Sequence, residues 1–323
     1  MKKSSTIHKK GAQGDLYQAV TDKIVAAMEK GVAPWRKPWR TERQLSVNAL
    51  PVNACTGQPY SGINILLLWL AAEEGGYSTN RWLTFNQARQ AGGYVRKGES
   101  CSQGVFFRPH ERQAKDESGA KLFDDEGEPV MERKPVIRSL SLFNVEQCEG
   151  LPPETQGIPA YPKNDITQLP LDRNTLSRIQ QMQAGCGVSV IFCHQNRAFY
   201  SPQADRITMP EFQQFDSEAD YWTTLLHETV HATGHRSRLN REGITSSTRK
   251  FGDPVYGFEE LIAELGSAFL CAELGIYGEC QHENYLSGWL RALKEDKHAI
   301  FRASRFAREA SAYLMQYEQV KAA

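Results

Sequence analysis

Long hydrophobic runs, paired cysteines and internal repeats are missing from this sequence. Its longest purely apolar run, residues 65–72, falls well short of the roughly 20 residues that a membrane-spanning helix needs. The lysines near the N-terminus are not followed by the apolar stretch of a signal peptide. Seven cysteines, an odd number without any CxxC pair, fit neither a disulfide framework nor a zinc knuckle. We therefore expect a cytoplasmic protein with reduced cysteines and no membrane partner.

A net charge of either sign is also absent, because 38 Lys and Arg side chains balance 38 Asp and Glu side chains. The distribution is uneven, however. Residues 1–110 hold 15 basic and 7 acidic side chains, residues 111–132 hold 3 and 8, and residues 151–323 hold 17 and 21. A basic front region is typical of a protein with an anionic partner, most often nucleic acid, although plain solvated surfaces also carry such a surplus.

The length of 323 residues predicts two domains, since one hydrophobic core seldom grows so large. Residues 148–172 contain five prolines and two glycines with little apolar periodicity, which is typical of a boundary. We expect domains at 1–150 and 173–323 with a linker at 151–172. The acidic insert at 111–132 is expected to be a solvated loop or hairpin tip between strand-like runs at 104–108 and 135–145.

Three helices are predicted in the front domain. Apolar residues at 16, 20, 24, 27 and 28 form one helical stripe, with Asp15 as its cap and Gly31 as its end. A second helix is expected from Ile63 to about Glu73, and a third from the Thr84 cap to Gly92. Together with the two strands, these helices make a compact α+β unit.

Aromatic and basic residues alternate in four segments of this domain, at 34–40, 57–64, 80–88 and 92–99. Sequence-tolerant binding of single-stranded nucleic acid combines aromatic platforms for the bases with a basic groove along the phosphates. The alternative is that tryptophans next to prolines are core or turn residues. The candidate platforms are Trp35, Trp39, Tyr60, Trp82 and Tyr94; the candidate groove residues are Arg36, Lys37, Arg40, Arg81, Arg96 and Lys97, with Asn64 grouped beside them.

The segment HETVHATGH at 227–235 predicts a metal site on a helix. His227 and His231 are four residues apart, so that both imidazoles project from one face and can bind one ion. Glu228 is then placed to take a proton from a metal-bound water, whose pKa such an ion lowers. The HExxH pattern also occurs by chance in helices, so the prediction depends on a third ligand.

Two candidates for the third ligand follow from spacing. The metzincin pattern would use a histidine six residues after His231, but the nearest one, His235, is only four residues beyond it. The other candidate is a helix around 256–270, on which Glu260 and Glu264 share one face. We favour Glu260 as the ligand and Glu264 as a residue that orients a ligand histidine, or as an alternative ligand. Short strands expected at 187–210 would supply an edge for an extended peptide substrate.

The whole chain resembles the ArdC-type antirestriction proteins of conjugative plasmids. The front part shares the motifs PWRKPW, TGQPYSGIN, RWLTFNQA, GGYVRKGE and LFNVEQCEG, and the back part shares DRITMP, HETVHATGHRSRLNR, FGDPVYGFEELIAELGSAFL and YLSGWLRALKED. The resemblance implies a single-stranded-DNA-binding domain followed by a zincin-like metallopeptidase domain, with Zn²⁺ or another divalent ion such as Mn²⁺.

That resemblance implies protection of plasmid DNA from host restriction endonucleases while it enters a recipient cell as a single strand. Single-stranded DNA is then the expected partner, and a restriction endonuclease or another DNA-bound protein is a further candidate. Three hypotheses stay open: a DNA-binding factor with a structural or regulatory metal domain, a DNA-dependent zinc metallopeptidase, and a general cytosolic peptidase whose DNA domain is only an adaptor.

Overall fold

The computed structural model describes residues 15–31, 33, 35, 50–157, 171–245, 254–276 and 286–320. It shows a two-part α+β architecture. The front part contains α1 (Leu16–Glu29), β1 (Val52–Asn53), α2 (Ile63–Gly75), β2 (Arg81–Leu83), α3 (Phe85–Gln90), β3 (Tyr94–Val95), β4 (Ser102–Gln113), β5 (Met131–Asn144), β6 (Cys148–Glu149) and α4 (Pro153–Gln156). The back part contains α5 (Arg173–Cys186), β7 (Ser189–Phe192), β8 (Phe199–Ser201), β9 (Arg206–Met209), α6 (Glu218–Thr233), α7 (Glu242–Thr245), α8 (Pro254–Leu274), α9 (Leu286–Glu295) and α10 (Ala299–Met315).

The first helices form where their sequence signals predict them. Asp15 accepts a hydrogen bond from the Tyr17 backbone N–H at the start of α1, and Gly31 follows the helix with φ of 78°. Thr84 caps α3 in a reciprocal capping box with Gln87. Because such caps satisfy backbone groups that a helix end leaves unpaired, these ends can be predicted from local sequence alone.

The front sheet has the strand order β1-β2-β5-β4, and β3 pairs separately with β6. Strands β4 and β5 form a long antiparallel ribbon whose twelve opposed pairs run from Ser102 and Leu142 to Gln113 and Met131. Beyond Val105, all residues of β4 as far as Arg112 are exposed. The two expected strands are confirmed, and they are longer than predicted.

The tip of this ribbon is a three-way junction built on an eight-residue spacing. Ala114 donates its backbone N–H to Val130 at 2.7 Å, Leu122 donates to Ala114 at 2.8 Å, and Val130 donates to Leu122 at 3.2 Å. Two loops, 115–121 and 123–129, lie between these residues, and a glycine at positive φ turns each. The acidic insert is therefore a hairpin tip, as expected. The short repeat inside it, with equivalent residues at 114, 122 and 130, was not predicted.

The front and back parts share one hydrophobic core. Buried residues of α1 and α2 belong to the same cluster as buried residues of α6, α8, α9 and α10. Trp35 packs edge-to-face on Trp289 of α9, with ring centroids 6.1 Å apart. Thr21 donates to the Lys297 carbonyl at 2.8 Å, and Lys297 forms an ion pair with Asp15. The boundary at 150, the linker at 151–172 and the start at 173 stay predictions, because residues 158–170 lie outside the described chain.

The back part places a three-stranded sheet beside the helix that carries HExxH. The strand order is β7-β9-β8, with β7 parallel and β8 antiparallel to β9. Tyr200, Ile207 and Met209 from this sheet are buried in the shared core together with Leu226 and Val230 of α6. This packing fixes the position of β8 against α6. Over the described ranges, the structure holds no helix long and apolar enough to cross a membrane.

Candidate metal centre and nucleic-acid interface

Helix α6 carries the HExxH segment and is defined at both ends by its sequence. The Ser217 side chain accepts from the Asp220 backbone N–H at 3.0 Å, and Glu218 and Asp220 place negative charge in the first turn. The helix ends at Thr233, and Gly234 follows it as the cap.

Glycine is needed at position 234 because of limited space and not because of an unusual backbone angle. Its φ of −76° and ψ of −7° are open to any residue. A Cβ at this position would lie 2.6 Å from Ile244 Cγ1 and 2.9 Å from Arg241 Nη2. The absent side chain therefore lets the segment after the helix fold back against the metal site.

Three buried donors converge where the sequence predicts a metal. His227 Nε2 lies 3.5 Å from Glu260 Oε2, and His231 Nε2 lies 3.5 Å from Glu260 Oε1. One ligand atom from each of the three residues lies within 4.8 Å of the others, and all three residues are buried. Glu260 reaches this point from α8, a separate helix, as the carboxylate alternative predicted.

Each histidine also faces a second carboxylate through its other nitrogen. His227 Nδ1 lies 3.8 Å from Glu264 Oε2, and His231 Nδ1 lies 3.4 Å from Glu259 Oε1. A carboxylate next to Nδ1 favours the tautomer whose Nε2 is free to bind a metal. The role predicted for Glu264 fits this geometry, whereas the contact of Glu259 with His231 was not predicted.

Glu259 is itself held by Arg241, which is also buried. Arg241 Nη2 donates to Glu259 Oε1 at 2.6 Å and to the Val230 carbonyl at 2.7 Å, and its Nη1 donates to Thr233 Oγ1 at 2.7 Å. These contacts tie the segment after α6 to both metal-site helices. Arg241 is ten residues beyond His231 and follows no known ligand pattern, so sequence spacing gave no signal for it.

Glu228 lies at the predicted position of the general base. It is 4% exposed, and burial raises the pKa of its carboxyl group, while the nearby His231 and His227 act in the opposite direction. The backbone N–H of Tyr200, in β8, also donates a hydrogen bond to this carboxylate. The β8 strand therefore fixes the carboxylate beside the convergent donors.

The electrostatics of the donor group suit a cation. Burial by itself would lower the pKa of His231, but Glu260 and Glu259 outweigh it and raise this pKa to about 10. Burial would raise the pKa of Glu260, but the two histidines hold it far below its usual range. The carboxylates thus favour positive charge between the two imidazoles.

His235 is turned away from the donor group. Its Nδ1 lies 2.7 Å from Ser237 Oγ and 3.9 Å from Asp205 Oδ2. Arg238, three residues further along the chain, donates to both carboxylate oxygens of Asp205, at 2.8 and 2.9 Å. His235 and Arg238 therefore lie on the side of Asp205, and neither reaches the metal site.

The donor set fits a divalent metal ion. Two imidazoles and one carboxylate are the ligands of a well-known class of catalytic zinc sites, which keep one further position for water. Zn²⁺ and Mn²⁺ both accept such nitrogen and oxygen donors. In this chain, His227, His231 and Glu260 would hold the ion, and Glu259 and Glu264 would orient the two histidines.

Two of the predicted DNA-stacking residues are buried, which corrects that part of the sequence analysis. Trp35 is 1% exposed and packs in the shared core, and Trp82 is 0% exposed and packs with Leu68 and Leu142. Neither indole has a face that a base can contact in this structure. The alternative, that a tryptophan next to a proline is a core residue, describes Trp35, and Trp82 is a core residue although no proline is next to it.

Arg81 and Asn64 also have structural contacts. Arg81 donates to the carbonyls of Ala54, Glu154 and Thr155. The Asn64 side chain donates to the Val105 carbonyl and accepts from the Val105 N–H, both at 2.8 Å. These contacts give both side chains a structural role, and those of Arg81 use only its Nε and Nη2. The assignment of both residues to DNA stays a prediction.

The other candidates differ in accessibility. Tyr60 is half-buried near Asn53, Arg96 is paired with Glu99 at 2.6 Å, and Lys97 is exposed. Tyr94 is 53% exposed, and its hydroxyl donates to Glu149. Four candidates lie outside the described residues: Arg36, Lys37, Trp39 and Arg40. The structure leaves these assignments as predictions.

Comparison with known proteins matches the two parts of the chain to two families. Residues 14–143 match the N-terminal domain of the anti-restriction factor ArdC, and residues 177–306 match a zincin-like metallopeptidase family. The fold is similar to crystal structures of the antirestriction ArdC protein from the R388 plasmid. The metal-free form has a TM-score of 0.75 and 37% identity over 94% of this chain and 98% of that chain. The Mn(II)-bound form has a TM-score of 0.72 and 35% identity over 95% and 99%.

The similarity to curated relatives also extends over most of this chain. An uncharacterized protein, y4eC, of Sinorhizobium fredii is 34% identical over 91% of this chain and 90% of its own length. Two Escherichia coli proteins named DNA primase TraC are 36% and 34% identical over 94% of this chain. This chain spans only 20% and 27% of the length of those two relatives.

Proposed function

The chain belongs to the ArdC antirestriction family, and from that premise we propose that it binds single-stranded DNA and protects incoming plasmid DNA from host restriction endonucleases. The observation that carries this proposal is the match of the front part to the ArdC N-terminal domain, at residues 14–143. The surplus of basic side chains in residues 1–110 supports it. The site of action would be the cytoplasm of a cell that receives DNA as a single strand.

The back part adds a metal-dependent hydrolytic site to this function. A divalent ion bound there would lower the pKa of a bound water towards neutrality. The Glu228 carboxylate would accept the proton from that water, since it is adjacent in sequence to His227 and fixed by Tyr200. Glu259 and Glu264 would keep both histidines in the ligand tautomer. Zn²⁺ is our first candidate, and Mn²⁺ is the alternative.

A second candidate function is a metallopeptidase that cleaves a DNA-bound protein, such as a restriction endonuclease. The specific observation in its favour is the buried Glu228 carboxylate, because a purely structural metal site needs no general base. In this function the front part would deliver the peptidase to proteins on DNA. A general cytosolic peptidase would need no basic front domain, and the family match therefore favours it least.

Antirestriction in cells separates these functions. An unmodified plasmid is transferred by conjugation into restricting and non-restricting recipients that express the wild-type chain, Glu228→Gln, or the exposed control Glu242→Gln. We expect all three chains to restore transfer into the restricting recipient, because protection depends on DNA binding. If Glu228→Gln alone loses protection, the peptidase function is correct. If the wild-type chain gives no protection, the proposed function fails.

A further inference from the structure

We propose that single-stranded DNA binds along one face of the β4–β5 ribbon, which we call the basic face. It is formed by Phe106, Arg108, His110 and Arg112 of β4 and by Glu132, Lys134, Val136 and Arg138 of β5. This inference rests on the proposed DNA binding and specifies its location. It also answers the question that the burial of Trp35 and Trp82 raises, namely which exposed side chains take their place.

The strand register defines this face. In an antiparallel pair, directly opposed residues and alternate residues along each strand point to the same side. Phe106 is opposite Arg138, Arg108 is opposite Val136, and His110 is opposite Lys134. The other side of the ribbon, the neutral face, carries the pairs Phe107 with Ile137, Pro109 with Pro135, and Glu111 with Arg133.

The two faces differ in charge. From Phe106 to Arg112 and their partners, the basic face has four basic side chains and one acidic side chain, Glu132. Over the equivalent length, the neutral face has one basic side chain, Arg133, and one acidic side chain, Glu111, which form an ion pair. A polyanion is therefore attracted to one side of the ribbon only.

Two of the basic side chains are available for phosphates. Arg108 and Arg138 are exposed, and neither forms an ion pair with any residue of the described ranges. Arg112 and Lys134 are also exposed, but both pair with Glu132. The two unpaired guanidinium groups are therefore the first places where a phosphate gains a charge-assisted hydrogen bond.

Phe106 supplies the aromatic platform on the same face. Its ring is 43% exposed and shares its face with Arg138, its cross-strand partner, and with Arg108, two residues along β4. A base can stack on such a ring only when it is not paired in a duplex, so this arrangement favours single strands. The stretch from Phe106 to Arg112 spans about 20 Å, enough for several nucleotides.

The acidic tip limits the site at its outer end. Residues 114–130 carry six acidic and two basic side chains, which repel a phosphate backbone. We therefore expect the bound strand to lie on the stem of the ribbon and to leave it before the tip. An acidic protein partner would meet the same repulsion, but it would gain nothing from an exposed aromatic ring between two arginines.

Fluorescence anisotropy of a labelled dT20 oligonucleotide with the full chain tests this surface. Each variant on the basic face has a control of the same residue type on the neutral face. Phe106→Ala is compared with Phe107→Ala, and Arg138→Gln is compared with Arg133→Gln. Arg108→Gln is added because Arg108 is the other unpaired guanidinium. Circular dichroism and a thermal midpoint check that each variant folds.

We expect Phe106→Ala to weaken binding about 5- to 150-fold, the range for loss of one stacked base. Arg108→Gln and Arg138→Gln should each reduce the slope of log K against log salt by about 0.7. Phe107→Ala and Arg133→Gln should change affinity by less than about twofold, since the neutral face is outside the proposed site. Unlabelled duplex at equal phosphate concentration should compete less well than unlabelled dT20.

Other results have distinct meanings. If the wild-type chain binds dT20 and the basic-face variants bind equally well, the location is wrong and the proposed function stands. Equal losses on both faces, or competition by duplex as strong as by dT20, also overturn the location, because they contradict the stacking on Phe106. If the folded wild-type chain does not bind dT20, the proposed DNA binding fails and this inference fails with it.

Discussion

At the scale of single residues, the metal centre is tested most directly by removal of its acidic ligand. Glu260 faces Nε2 of both histidines, whereas His235 contacts Ser237 and Asp205. We expect Glu260→Ala to lower metal affinity more than His235→Ala. Glu264→Ala should give an intermediate loss of about 10- to 100-fold, as expected for a partner that orients a ligand.

Competition with a chromogenic chelator gives the dissociation constants of each variant for Zn²⁺ and Mn²⁺. These constants test the predicted order of metal affinities. His227→Ala and His231→Ala serve as references for complete loss of a ligand. If His235→Ala releases the metal and Glu260→Ala retains it, the metzincin-like alternative is correct and the ligand assignment fails.

The buried pair of Arg241 and Glu259 supports a second prediction. Side chains of both residues are almost fully buried, at 4% and 1% exposure. Removal of one partner leaves an uncompensated buried charge, so Arg241→Met should reduce the free energy of unfolding by about 3–5 kcal/mol. The double variant Arg241→Met/Glu259→Gln should recover part of that loss. Urea denaturation of the metal-free chain measures both, and additive losses would show that the two residues do not act as a pair.

The metal-site residues differ in how far sequence could predict them. His227, His231, Glu260 and Glu264 lie at helical spacing, and one-turn spacing alone places them on common faces. Glu259 and Arg241 act through a contact between two segments 18 residues apart, and only the folded chain brings those segments together. Local spacing therefore predicted the ligands and one of the two orienting carboxylates.

At the scale of secondary structure, the free edge of β4 explains the role of Asn64. The Val105 backbone is buried at that edge, and the Asn64 amide satisfies both its N–H and its C=O. Asn64→Ala would leave these groups without partners, and we expect it to reduce the free energy of unfolding by about 2 kcal/mol. The exposed Asn86→Ala on α3 is the control. An unchanged unfolding midpoint with weaker DNA binding would instead support the original assignment of Asn64 to DNA.

Helices and strands also differ in how well the sequence predicted them. The starts of α1 and α3 were predicted because caps act within a few residues of the chain. Strands of two residues, such as β1 and β3, have no periodicity of their own and exist only through their partners. Burial of Trp35 and Trp82 could not be predicted for the same reason, because whether an indole is buried depends on what packs against it from elsewhere in the chain.

At the scale of the whole molecule, the shared core couples the two parts that the families match separately. Met28 of α1 is 1% exposed and lies in the same buried cluster as Leu293 of α9 and Ala303 of α10. A fragment of the front part alone would therefore expose the apolar stripe of α1 to water. Stability of the back part should in turn depend on a helix that belongs to the front part.

Met28→Ala tests this coupling, because truncation of a buried methionine typically destabilises a protein by about 2–5 kcal/mol. In native-state hydrogen exchange, the opening free energies of amides in α1, α9 and α10 should all fall by a similar amount. The reason is that opening of α1 uncovers the face on which α9 packs. Leu83→Ala is the matched control, as Leu83 is fully buried in a separate cluster made by front residues alone. It should reduce protection near α3 and leave α9 and α10 with most of their protection. If Met28→Ala changes exchange in α1 only, the two parts unfold independently, and DNA binding and metal binding cannot influence each other through this core.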